Sequence, residues 1–328
     1  MSAVHGPVFV AGLERTGTSL MYALLASHPQ IAMTRRTNLW THFYGQYGNL
    51  GDDANLDRCL DTMMRYRRVV KLQPDADRLR REFRSGTRTY GRLFALLCQQ
   101  HAERLGKPRW GDKSLNTERY AGPILEAYPD ARILHMIRDP RDRFASSLTR
   151  WERRRGGIGA GTAEWLASAR LALRNADDHP DAYRTVRYES VVSAPEQTLR
   201  EVCAFIGEPF APEMLSMHGA REFADRGSNS SYGRRPPGAI TTASVGRFRA
   251  VLSAQQVAYV QRLAGGVMER FGYAREPVPL PPVGWARFAV ETVPLETARM
   301  LAWRAREAVR DRRGRPVPAY RLVAGARP

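Results

Sequence analysis

The chain has 328 residues and a formal net charge of +18, with 51 Lys and Arg against 33 Asp and Glu, a length that can bury a full core in one large domain or in one domain with an extension. No apolar run is long enough to cross a bilayer, the three cysteines Cys59, Cys98 and Cys203 lack the paired spacing of zinc or redox sites, and a strand starting close to Met1 leaves no room for a secretory leader, so a cytoplasmic protein is expected. The charge invites a polyanionic partner, but it is spread along the chain and is almost all arginine, with Lys71, Lys107 and Lys113 the only lysines; without a DNA-binding motif or an aromatic-interleaved basic patch, no nucleic-acid partner is expected.

In chain order, the apolar run from Val8 enters Gly12-Leu13-Glu14-Arg15-Thr16-Gly17-Thr18-Ser19 and then at once a helix, roughly Leu20 to Ser27. Backbone N–H groups at such a turn and in the first helical turn lack internal partners, so they point outward together and favour an oxyanion. Gly17 lets the backbone come close, Thr18 and Ser19 add hydroxyls, and Arg15 adds a fork of N–H groups suited to phosphate or sulfate oxygens. The competing reading is an ordinary strand-to-helix turn that Thr18 or Ser19 merely caps. No Lys follows Gly17, unlike the loop that holds a nucleoside triphosphate and magnesium, so a nucleotide handled without a metal is expected.

His28-Pro29 closes this unit, Ile31 to Trp40 crosses toward the next, and Tyr44 to Asp53 reads as loop. Cys59 to Val70 and Tyr90 to Leu105 carry apolar residues at helical spacing, whereas the charged stretch Asp75 to Arg88 is expected to be exposed helix or loop. A second strand-to-helix unit runs from Ala131 to Ile137, through Arg138-Asp139-Pro140-Arg141-Asp142, into a helix to about Trp151. A third is Tyr183 to Tyr188, a loop through Pro195, and a helix to Ile206. The recurrence of strand, turn and helix predicts an α/β fold, a parallel sheet flanked by helices on both faces, with ligands outside the carboxyl ends of the strands. Arg15, Arg138 and Tyr188 all fall there.

Gly156 to Gly161 and Ser228 to Gly238 read as mobile loops, and Ser253 caps a helix with Val257, Val260, Ala264, Val267 and Phe271 at period 3.6. The chain turns proline-rich from Pro277 to Pro282. Residues 277–328 are then expected to form a basic, helical C-terminal extension on a domain of residues 1–276. Leu295, Leu301, Ala305, Ala308 and Val309 can share one side of a helix whose other side carries Arg299, Arg306, Arg310 and Arg313, a pattern suited to peripheral contact with an anionic membrane or to packing on the main domain.

Together these residues resemble the sulfotransferase superfamily, from about Val8 to Tyr273. The resemblance implies a P-loop-like fold and a sulfuryl transfer from 3′-phosphoadenosine-5′-phosphosulfate (PAPS), without a metal, to a hydroxyl of a small molecule, carbohydrate or lipid. In it, Arg15, Thr16, Gly17, Thr18 and Ser19 look like the 5′-phosphosulfate loop, and Arg138 with Ser146 like the 3′-phosphate site. Tyr188-Glu189 resembles the turn near adenine, with Ser190 where Asp is frequent, and Gly246-Arg247-Phe248-Arg249 resembles the late Gly-Arg-Trp segment, with Phe248 in place of Trp. Gly111-Asp112-Lys113-Ser114 resembles the Lys-containing segment, which would set Lys113 and Arg15 at the oxygen bridging phosphate and sulfate. The usual bases are missing, since Leu115 stands where a His is frequent and Thr34 to Asn38 holds no Glu. His42, Asp112, His135 and Glu118 remain, His42 being preferred because it follows Trp40 beside the expected acceptor pocket; Arg35 and Arg36 would face an acidic acceptor or the cofactor. A nucleotide kinase and a non-enzymatic polyanion- or membrane-binding protein are the alternatives.

Overall fold

The computed structural model describes residues 6–150, 156–220 and 240–323; the Ser228 to Gly238 stretch lies outside them. Five parallel strands form one sheet in the order β2-β3-β1-β4-β5, where β1 is Val8–Ala11, β2 Ile31–Arg35, β3 Arg109–Lys113, β4 Arg132–Ile137 and β5 Tyr183–Arg187. In β1 and β4, alternate residues serve opposite faces, as the two-residue period of a strand requires. Phe9 and Ile133 join a core with Trp40, Leu56 and Phe94, whereas Val10 and Leu134 join one with Leu24, Val191 and Leu199. Helices cover both faces, Asp53–Arg65 and Tyr90–Arg104 on the first, Thr18–Ala26 and Pro195–Ile206 on the second. Lys113 pairs with Val10 and with Arg35, and Ile137 with Arg187, so the register aligns the carboxyl ends of all five strands along one edge.

β3 has no strand-like pattern. Three of its five residues are charged, yet all five are buried. Tertiary partners make this tolerable: the Arg109 guanidinium donates to the carbonyls of Gly6 and Ile206, both at 2.7 Å, and pairs with Glu208 at 2.9 Å. Gly111 leaves room for its neighbours, since a Cβ there would sit 2.6 Å from the Val8 carbonyl oxygen.

Two expected loops are helical. Tyr188–Ser193 is a short helix between β5 and Pro195. Gly157–Asp178 is one long helix, and Gly156 to Gly161, read as mobile, is its N-cap and buried first turns. The glycines there serve close approach. A Cβ at Gly159 would overlap the Glu296 carbonyl, and one at Gly161 would lie 2.7 Å from the Phe144 ring. Into this notch lies the helix Val293–Arg313, with the Glu296 carboxylate accepting from the Gly159 N–H at 2.8 Å. The face turned to the body carries Glu296, Met300 and Glu307, while Leu295, Leu301 and Val309 stay about half exposed, at 52, 54 and 47%. Helix contact is thus polar and backbone-led, opposite to the side that amphipathic spacing marked as apolar. No helix among the described residues is long and apolar enough to cross a membrane. Gly159→Ala is expected to lower stability by about 1–3 kcal/mol, as overpacked sites do, and to expose the C-terminal helix to limited proteolysis, which thermal unfolding and a protease time course would check.

Candidate functional site

The Gly12–Ser19 loop leaves the end of β1 and folds over the strand edge. Gly17, at φ 95°, is the N-cap of the Thr18–Ala26 helix and no side chain caps it, so neither Thr18 nor Ser19 does the capping. Among the described residues, the N–H groups of Gly17, Thr18 and Ser19 bond nothing in the chain, because the helical ladder begins with Leu20 and Met21 donating to the Gly17 carbonyl at 2.9 and 3.0 Å. Three convergent donors at a helix start make an anion cradle. Thr16 braces the turn from inside through a 2.8 Å bond to the Leu13 carbonyl.

Arg15, held at a left-handed φ of 69°, links the loop to the second strand unit. Its Nε donates to Ser146 Oγ at 2.9 Å, and its carbonyl accepts from Arg138 at 3.3 Å. Arg138 is buried at the end of β4, also donates to the Ser244 carbonyl, and lies 4.4 Å above the Tyr188 ring; its Nε is buried with no partner. The Tyr188 hydroxyl meets Ser244 Oγ at 2.7 Å, and the ring floors the loop so closely that a Cβ on Gly17 would stand 2.6 Å from it. Asp142, one helical turn before Ser146, accepts from the N–H groups of Gly246 and Phe248 at 2.7 and 2.8 Å. That anchor brings half-buried Arg247 against the same helix. Arg15, Thr16, Gly17, Thr18, Ser19, Arg138, Ser146, Tyr188 and Arg247 therefore occupy one edge of the sheet, bringing guanidinium groups and N–H donors together, with the Asp142 and Glu189 carboxylates acting on Arg138.

Lys113 ends β3 next to the loop. It is 1% exposed, and its amine has no hydrogen bond or ion pair among the described residues. Burial pushes its pKa down to about 7, and the guanidinium groups of Arg36 and Arg35 add to this while Asp112 and Glu14 oppose it. A lysine held so depressed next to an anion cradle is a feature of functional sites.

A cavity of about 840 Å³ opens beyond Glu14 and Arg36, with Thr41, Tyr66 and Leu115 in its wall and the C-terminal segment, Arg315 to Arg321, across it. His42 lines this cavity, but its Nδ1 is 2.7 Å from the Arg315 carbonyl and its Nε2 3.3 Å from Arg321. Both nitrogens fasten the C-terminal segment, and burial lowers the imidazole pKa. The other acid–base candidates also make structural bonds, though Asp112 Oδ2 is buried with no partner. Asp112, buried, accepts from Thr34 and Thr37 at 2.6 Å each. Glu118 accepts from the Gly12 N–H at 3.1 Å and from Ser168 at 2.7 Å, and Ser168 in turn meets His135 at 3.1 Å, which also bonds Tyr183. Glu14 was not singled out from the sequence. Its exposed carboxylate is the acidic group in the cavity wall, makes no bond or ion pair among the described residues, and acts electrostatically on Lys113. Its one sequence signal is a carboxylate directly before the arginine of the loop.

Residues 7–212 match the family described as "Sulfotransferase family". Over 216 residues the chain is 23% identical to the protein-tyrosine sulfotransferase of Drosophila melanogaster, covering 63% of this chain and 39% of that protein. The same identity and length relate it to protein-tyrosine sulfotransferase A of Caenorhabditis elegans, of which it covers 51%; the chain thus spans about half or less of these relatives' length. In fold it is similar to the sulfotransferase domain of the Synechococcus PCC 7002 olefin synthase, with a TM-score of 0.55 at 20% identity over 84% of this chain and 97% of that one.

Proposed function

The chain belongs to the sulfotransferase family, and from that premise we propose that it moves a sulfuryl group from PAPS to a hydroxyl of an acceptor seated in the Glu14–Arg36 cavity. The observation that carries the proposal is the single connected cluster of Arg15, Ser146, Arg138 and Tyr188 around the open N–H groups of Gly17 to Ser19. PAPS fits it: the orphaned Nε of buried Arg138 and the N–H groups at the helix start both call for anionic oxygens, which the phosphosulfate and the 3′-phosphate would supply. We assign the 5′-phosphosulfate to Arg15 and Thr16 to Ser19, the 3′-phosphate to Arg138 and Ser146 with Arg247 beside them, and the adenine to the neighbourhood of Tyr188.

PAPS supplies an activated sulfuryl group. The acceptor oxygen bonds to sulfur as the bond from sulfur to the bridging oxygen breaks, and that electron pair stays on the 5′-phosphate. Such loose, in-line transfers depend on positioning and charge stabilisation. Lys113 and Arg15 would hold the growing negative charge on the bridge, and Glu14 would take the acceptor's proton. In this reading His42, bonded to Arg315 and Arg321, tethers the C-terminal wall of the acceptor cavity instead of taking the proton.

Adenosine 3′,5′-bisphosphate (PAP) is expected to raise the melting temperature in the presence of EDTA, and Arg138→Ala to remove most of that rise. Equal stabilisation by adenosine 5′-monophosphate would overturn the assignment of a 3′-phosphate site.

A further inference from the structure

The acceptor cavity is charged in one sign. Arg36, Arg67, Arg68, Lys71 and, from the C-terminal segment, Arg321 line it, with Glu14 the one carboxylate in the lining among the described residues. Two further arginines there, Arg310 and Arg315, are already neutralised by Glu307 and Asp311, the Arg315 contacts being 2.6 and 2.7 Å. Arg67, Arg68 and Lys71 have no ion pair among the described residues, and Arg321 meets only the imidazole of His42 and the ring of Tyr320. None of Arg138, Ser146 and Tyr188 lines this space, so its charge is additional to that of the cofactor cluster. Like charges around a concave wall repel one another and focus a positive potential into it, which favours an anionic occupant.

The wall also limits the occupant's size. The Arg315–Arg321 segment is held at three points: His42 binds the Arg315 carbonyl, Leu322 bridges Tyr66, and the Val323 N–H donates to the Arg65 carbonyl at 2.8 Å. A cavity of about 840 Å³ beneath such a wall has the volume of a small-molecule site.

We propose, resting on the sulfotransferase reading, that the acceptor is a small hydroxyl compound that itself carries a carboxylate, phosphate or sulfate group, held by Arg67, Arg68 and Lys71 while its hydroxyl faces Glu14. Phosphate and carboxylate groups both accept charge-assisted bonds from guanidinium and ammonium donors, so the site selects an anion near a hydroxyl rather than one scaffold.

The test is calorimetric binding to the full chain saturated with PAP, which blocks the cofactor cluster, using matched probes: glucose against glucose 6-phosphate, and 4-hydroxyphenylacetamide against 4-hydroxyphenylacetate. The anionic member of each pair is expected to bind about tenfold or more tighter, the scale of one or two charge-assisted bonds. An Arg67→Ala/Arg68→Ala/Lys71→Ala variant is expected to lose that preference while keeping its PAP affinity and melting temperature. Equal binding within each pair, no binding by either anion, or a preference that survives the triple substitution overturns the proposal and leaves the sulfotransferase reading standing. Tighter binding of an acidic tyrosine peptide than of 4-hydroxyphenylacetate overturns the restriction to small acceptors. Failure of PAP itself to bind would instead remove the reading on which the proposal rests.

Discussion

Lys113→Ala is expected to lower kcat by about a hundredfold or more, the usual cost of removing one preorganised donor from a developing negative charge, far more than it weakens PAP binding. An ammonium acting on the bridging oxygen gains interaction energy only as the bridge breaks, so kcat and kcat/KM should fall together. Lys113→Arg should recover little, because a planar fork cannot replace a compact ammonium at one atom. Its depressed pKa sharpens the expectation. At about 7 instead of the ordinary 10.5, the ligand-free protein sheds the Lys113 proton across a range in which the unfolded chain still holds it. The unfolded state then binds more protons, so this residue makes stability rise with pH from about 7 to 10.5 and withholds that contribution below 7. The added negative charge of PAP should restore the ammonium, so PAP binding near pH 7.5 should take up a proton. Calorimetry in buffers of different ionisation enthalpy would show that uptake, and Lys113→Met should abolish it. A Lys113→Ala enzyme with near-normal kcat would refute the catalytic role.

Glu14→Gln should reduce kcat by about 10²–10⁴, the range for loss of a general base, with PAP affinity retained. Glutamine keeps the length and the hydrogen-bonding reach of the side chain and removes only its capacity to accept a proton. His42→Gln provides the contrast. Without the imidazole, the Arg315–Arg321 segment loses one tether at 2.7 Å, so the KM for acceptor should rise while kcat stays near that of the parent enzyme. Steady-state kinetics of both variants would decide between the two residues: near-normal kcat in Glu14→Gln together with loss of kcat in His42→Gln would return the proton-accepting role to His42.

The sequence by itself determined the parts governed by local rules. An apolar strand, a glycine turn and a helix start are neighbours along the chain, so the Val8–Ser27 and Ala131–Arg150 units and the places of Arg15, Gly17 and Arg138 at strand ends were legible from order and spacing, whereas Ser146 stood out only through the family resemblance. The parallel sheet followed from the repetition of that unit. Only the tertiary structure decided what depends on distant partners. β3 became a buried strand although its residues read Arg-Trp-Gly-Asp-Lys, because Gly6, Ile206 and Glu208 satisfy Arg109 and the Thr34 and Thr37 hydroxyls both donate to Asp112 Oδ1. Gly156 to Gly161 became helix rather than loop because Glu296 and Phe144 come within reach of positions where only hydrogen fits. The proposed proton acceptor was hidden for the same reason: His42, Asp112, His135 and Glu118 each looked available along the chain, but His42, His135 and Glu118 are bonded by remote groups, Asp112 is buried with one oxygen bonded and the other without a partner, and Glu14 faces the cavity. Spacing reports which residues can share a turn or a face, whereas burial and hydrogen bonding between residues far apart in the chain decide which side chains remain open to chemistry.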